Sequence, residues 1–134
     1  MKAIGLIAEL ERGANLAHLK SIRELRHGLP ASDVPKVCRY LDGGITAVDV
    51  MEATRDPLDE SVSIPGGPSL VSDGQWVWRR DLSYYVERYA IALDPEFVRH
   101  ALSSDAPARP TEDEVISRFR EIIAAYDEAR RSPI

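Results

Sequence analysis

The sequence predicts an α+β protein: a short, mainly antiparallel sheet of about three strands with one Asp-Gly hairpin, packed with four to six helices in a single domain over residues 1–134. Three observations predict it. Apolar residues recur at helical spacing toward both ends of the chain. Two runs rich in β-branched and aromatic residues, 45–51 and 70–78, lie together in the middle. The resulting order of helices, strands and helices lacks the regular alternation of a wound parallel sheet.

Residues 3–11 admit one or two helical turns, or a strand over 3–8. Leu16, Leu19, Ile22 and Leu25 then recur every three residues, between Asn15 as a cap and Gly28 as a stop, with Pro30 beyond. In the next helix Ser32 or Asp33 serves as the cap and Pro35 occupies the first turn, where its missing N–H is not needed. Val34, Val37, Cys38 and Leu41 share one face, and Gly43-Gly44 ends the helix. Residues 45–51 read as a strand. Thr46, Val48 and Val50 face one side; Ile45, Ala47, Asp49 and Met51 face the other.

Residues 52–68 carry three prolines and two glycines and read as a loop, long enough to be functional. Leu70-Val71-Ser72 and Gln75-Trp76-Val77-Trp78 flank Asp73-Gly74, the pair favoured in a two-residue type I′ turn. That turn sets Ser72 opposite Gln75 and puts Trp76 and Trp78 on one face, Val77 on the other. Asp81 can cap a helix carrying Leu82, Tyr85, Val86 and Tyr89. Asp94-Pro95 opens another, with Phe97, Val98, Ala101 and Leu102 inward. Residues 103–110 read as a linker. Thr111 and Glu114 form a capping box that opens one long helix, with Val115, Ile116, Phe119, Ile122, Ile123 and Tyr126 on its stripe. Arg130 and Arg131 suit its C-terminal dipole.

A chain of 134 residues can bury a core without disulfide or metal. Its one cysteine, Cys38, cannot form an intramolecular bridge, and a lone thiol suits a reducing compartment. The apolar start at residues 3–8 is interrupted by Glu9, Glu11 and Arg12 and lacks a cleavage site. No run approaches the roughly 20 apolar residues of a membrane span. A cytoplasmic protein is expected.

Charge is uneven. Residues 1–41 carry a net +3, residues 42–74 a net −6 and residues 75–134 a net −2. An acidic middle disfavours nucleic acid and attracts cationic partners. No phosphate-cradling loop, paired-cysteine zinc pattern or nucleophile elbow is present. Asp49, Glu52, Asp56 and Asp59 are the candidate carboxylate cluster, but their spacing matches no calcium loop, so no metal or cofactor is expected. Cys38, on an apolar face, reads as an inert core thiol. Trp76 and Trp78 can serve as core or as a binding platform. Arg79 and Arg80 read as solvated charges.

The segment from Ser72 through Trp76, Trp78, Arg79, Asp81 and Tyr85 to Tyr89, followed by Leu93-Asp94-Pro95-Glu96-Phe97-Val98, resembles a block found in small uncharacterised bacterial proteins. Some small acidic proteins of that kind are immunity proteins or antitoxins encoded beside polymorphic toxins. The resemblance implies a hairpin and two helices and carries over no functional residue. The expectation is a non-enzymatic protein-binding module, immunity- or antitoxin-like, which neutralises a cationic toxin. Asp56, Asp59 and Glu60 supply the charge, Arg55 lies among them, and Trp76 or Trp78 is the anchor. The alternative is a small enzyme with its cleft between the 52–68 loop and the hairpin. There Asp49, Glu52 or Asp56 would be an acid/base or metal ligand and Arg55 would bind an anionic substrate.

Overall fold

The computed structural model describes residues 1–11, 17–103 and 110–131. Its elements, in chain order, begin with β1 (Lys2–Ala3), a 3₁₀ turn (Ala8–Leu10), α1 (Ile22–Leu25), α2 (Val34–Asp42) and β2 (Ile45–Val48). There follow β3 (Ala53–Asp56), β4 (Asp59–Pro65), β5 (Leu70–Ser72) and β6 (Trp76–Arg79). The chain continues through α3 (Leu82–Tyr89), α4 (Pro95–Leu102), α5 (Glu112–Ser117) and α6 (Phe119–Arg131). The mixed α+β arrangement is as expected, but the sheet is not. It has four strands in the order β1-β6-β5-β2, and a separate two-stranded sheet pairs β3 with β4. Among the described residues no helix is long and apolar enough to cross a membrane.

The four-stranded sheet is covered on both faces. Side chains alternate across a strand, so Val71, Trp76 and Trp78 enter one core with Val37, Leu41, Leu82, Tyr85, Val86 and Phe97. Leu70 and Val77 point the other way, into a second core with Val115, Ile122 and Tyr126. Phe97 meets Trp76 edge-on at 5.4 Å between ring centroids and Trp78 at 5.7 Å. Both tryptophans are buried, Trp78 to 1% exposure, so neither is a binding platform.

β5 and β6 do pair antiparallel, but the connection is not a two-residue turn. Ser72 lies opposite Val77 rather than Gln75, leaving residues 73–76 to close the loop. Only Gly74 in that loop has positive φ, at 96°; Asp73 does not. The Asp73 carboxylate instead accepts from the backbone N–H groups of Gln75 (2.9 Å) and Trp76 (2.8 Å), and the Ser72 hydroxyl accepts from Gly74 N–H (2.9 Å). Side chains replace the ladder bond that a tighter turn would make. A Cβ at Gly74 would lie 2.9 Å from Pro110 Cγ. Gly74→Val therefore combines unfavourable φ with a clash and is expected to lower stability by about 1–3 kcal/mol. Thermal unfolding checks this, and an unchanged melting temperature would contradict it.

Several boundaries move for local reasons. Of the helix expected between Asn15 and Gly28 only α1 is helical among the described residues; residues 17–21 are not, so Leu19 is on no helical face. Ser21 forms the cap and a capping box with Glu24, while Asn15 and Leu16 lie outside the described residues. Asp33 and Asp81 sit at the N-caps of α2 and α3 without a side-chain capping bond, whereas Asp94 and Thr111 cap α4 and α5 as expected. A β-bulge between Thr46 and Val48 interrupts the alternation in β2. Val48 consequently joins Ile45 and Ala47 against the second core. The single C-terminal helix is broken at Arg118, which donates to the carbonyl of Gly74 at 3.0 Å. Val115, Ile122 and Tyr126 point inward as expected, whereas Ile116 and Phe119 are exposed. Of the 103–110 linker, residues 104–109 lie outside the described residues.

Candidate functional site

The segment read as a loop over 52–68 is mostly the β3–β4 hairpin, with a tight turn at Pro57-Leu58. A two-stranded ribbon has little stability of its own. This one is fastened by Asp56, whose exposure is 0%. The Asp56 carboxylate accepts from Tyr84 Oη (2.6 Å), Tyr89 Oη (2.6 Å) and Leu58 N–H (2.8 Å), with Arg88 Nη1 at 3.4 Å. Burial pushes this carboxyl up, but those hydrogen bonds and the Arg88 charge outweigh it and hold the group below the ordinary aspartate value. Asp59 accepts from Ser61 and from Arg88 Nη2 at 2.7 Å, which lowers it to about 2. Leu58 and Ile64 add apolar contact with the main core.

Asp56 is thus an anchor, not a surface charge, because its acceptor positions are filled from within the protein. Asp59 is half-buried and committed to Arg88. Asp73 is buried as well, accepting from Tyr40 Oη on its outer oxygen with His100 Nε2 3.2 Å away. The −6 middle third therefore presents much less charge to solvent than its composition implies. Glu60, Arg55, Glu52 and Met51 remain exposed, Met51 at 97%. Asp49 is exposed past the end of β2 and pairs with Arg80 at 3.4 Å.

The second feature is a cleft of about 600 Å³ between β3, the segment preceding it, residues 9–11 and α6. Glu52 and Arg55 line it; Asp49, Asp56, Trp76 and Trp78 do not. At its base lies a buried ionic cluster. Arg79 grips Asp81 with two bonds, Nε to Oδ1 at 3.1 Å and Nη2 to Oδ2 at 2.8 Å. It also donates to Leu10 O (2.7 Å) and Thr54 Oγ1 (3.1 Å), and Glu11 lies 3.8 Å away. Tyr126 Oη donates to Glu11. Gly67 permits this packing, since a Cβ there would lie 2.8 Å from Asp81 Oδ2.

Burial raises the carboxyls of Glu11 and Asp81 above their ordinary values, outweighing the pull of Arg79. Arg79 stays charged, because Asp81 offsets its own burial. The reading of Arg79 as a solvated charge is therefore corrected. Its alternation with Val77 was the available signal: a side chain two residues on from a buried valine emerges on the same covered face. Glu11 carried no comparable signal, because its partners Arg79 and Tyr126 are remote in sequence. Tyr126 did, as a phenol within an apolar helical stripe, which needs an acceptor when buried. Among the described residues no group of three His, Cys, Asp or Glu is arranged to hold a metal ion. Cys38 is half-buried, and burial raises its thiol to about 11, which leaves it a poor nucleophile at neutral pH.

Compared with family models, curated proteins and solved structures, the chain has no match.

Proposed function

We propose that this protein is a non-enzymatic protein-binding module whose docking surface is the outer face of the β3–β4 hairpin and the segment leading into it. The observation that carries this reading is the anchoring of the hairpin. A fully buried carboxylate with three hydrogen-bond donors and a guanidinium holds a ribbon that contributes little apolar area to the core. A ribbon held so firmly presents its outer side chains already ordered, which lowers the entropic cost of docking. Met51 supplies an exposed apolar contact beside Asp49, Glu52, Arg55 and Glu60. Three carboxylates to one guanidinium favour a cationic partner surface, as on a toxin or effector. Asp56, Trp76 and Trp78 take no part in this surface, and Asp59 only through its pairing with Arg88.

Co-precipitation with the products of neighbouring genes identifies the partner. The variant Asp49→Asn/Glu52→Gln/Glu60→Gln is then expected to associate about tenfold more slowly at low salt, with a weaker salt dependence. Its melting temperature should hold, because exposed charges contribute little to stability. Association insensitive to both salt and these substitutions would refute the acidic docking surface.

A further inference from the structure

We infer that the cleft between β3 and α6 is a binding site for a small zwitterion with an apolar body, about the size of a dipeptide. Its volume of about 600 Å³ lies in the range of small-molecule sites. Three features of the lining define the occupant.

Two cationic groups have donor capacity left. Among the described residues the Arg55 side chain makes no hydrogen bond or ion pair, while its backbone lies opposite Ser63 in the ribbon. Arg130 is held by Asp127 through Nη2 at 2.8 Å, which leaves its Nη1 without an acceptor among the described residues. A carboxylate satisfies such donors. Arg79 does not compete for it, because its donors are already committed to Asp81, Leu10 and Thr54.

The same cavity is lined by Glu9, Glu11, Glu52 and Asp127, with Asp81 one layer behind. A simple anion would meet their repulsion. A simple cation would leave Arg55 and the Arg130 Nη1 unmatched. A molecule carrying both charges matches both sets, its ammonium toward the carboxylates and its carboxylate toward the guanidiniums. Between them Val48, Val50, Leu70 and Ile123 offer apolar surface for the body of the molecule. This site lies beside the proposed docking surface and shares Glu52 and Arg55 with it.

Leucyl-leucine is the probe, with N-acetyl-leucyl-leucine (carboxylate only) and leucyl-leucine amide (ammonium only) as controls. Titration followed by amide NMR should give a saturable response confined to residues 48–55, 9–11 and 123–130. Each control should bind about tenfold more weakly, the loss expected for one charged hydrogen-bonded contact. Arg130→Gln and Arg55→Gln should each weaken binding by a similar factor, while Glu60→Gln, outside the cleft, should not. The inference is overturned by no saturable response up to about 10 mM, by a control that binds as well as the zwitterion, or by a folded Arg130→Gln that binds normally. If Arg130→Gln does not fold, Arg55→Gln decides on the same criterion. A negative result here leaves the protein-docking reading intact, since Asp49 and Glu60 lie outside the cleft and the double variant Asp49→Asn/Glu60→Gln tests that reading alone.

Discussion

Replacing Arg79 with methionine is expected to be the most damaging single change, with a loss of about 3–5 kcal/mol. The substitution strips the counter-charge from two buried carboxyls, Asp81 at 2.8 Å and Glu11 at 3.8 Å, and leaves the Leu10 carbonyl and Thr54 hydroxyl without their donor. For a domain of this size the melting temperature should fall by roughly 10–20 °C. Arg79→Lys should lie between, since it keeps the charge but cannot reproduce the two-pronged grip on Asp81. The loss should also depend on pH. Glu11 and Asp81 already have folded values above the unfolded ones, and removing Arg79 raises them further. A carboxyl of that kind destabilises the fold when pH rises through its folded value and it ionises. The Arg79→Met variant should therefore recover part of its stability between pH 7 and about pH 4, where protonation removes the uncompensated charge. Thermal melts over that interval test this; a variant equally weak throughout would show that loss of packing, not charge, dominates.

Asp56→Ala should be the second most damaging, at about 2–4 kcal/mol. Tyr84, Tyr89 and Leu58 N–H would lose their shared acceptor, and Arg88 would keep only Asp59. Local effects should exceed the global one. Freed from its anchor, the β3–β4 ribbon should become the first segment cut by protease, whereas in the parent chain it should resist. Asp56→Asn should retain part of the stability, because an amide oxygen still accepts. The pH dependence runs opposite to that of Glu11 and Asp81. The folded value of Asp56 is lowered, so its contribution is complete above the unfolded value near pH 4 and is lost as pH falls through the folded value. A ribbon equally protected in Asp56→Ala would remove the argument that its anchoring prepares a docking surface.

Much of the scaffold was legible because it follows simple periods. Trp76, Val77 and Trp78 divided between two faces as a strand demands, and Val37 and Leu41 point inward as helical spacing requires. The caps Asp94 and Thr111 were legible because one side-chain oxygen and a nearby N–H define them. The β3–β4 ribbon was hidden by its own chemistry. Prolines 57 and 65 and the charges at 55, 56, 59 and 60 outweigh a short alternation of Thr54, Val62 and Ile64. Asp56 is buried there because tyrosines from a distant helix reach it, and no window around residue 56 contains that information. The cleft was expected between the 52–68 segment and the Asp73-Gly74 hairpin and instead lies between β3 and α6. Glu52 and Arg55 were proposed for a site beside the hairpin and do line it, but Glu11 and Arg130 come from opposite ends of the chain.

That last circumstance bears on how the molecule is made. Lys2 lies in parallel register with Trp76, and Glu11 accepts from Tyr126, 115 residues away. A ribosome delivers the N-terminal strand long before either partner exists. That segment must wait, unpaired, while the central sheet and its helices emerge, and the wall formed by α6 closes only after α6 itself has been made. Such distant pairings favour slow, late assembly over early local closure. Chains stopped before α6 would carry the β5–β6 hairpin and the outer ribbon, yet leave the ionic cluster around Arg79 open to water.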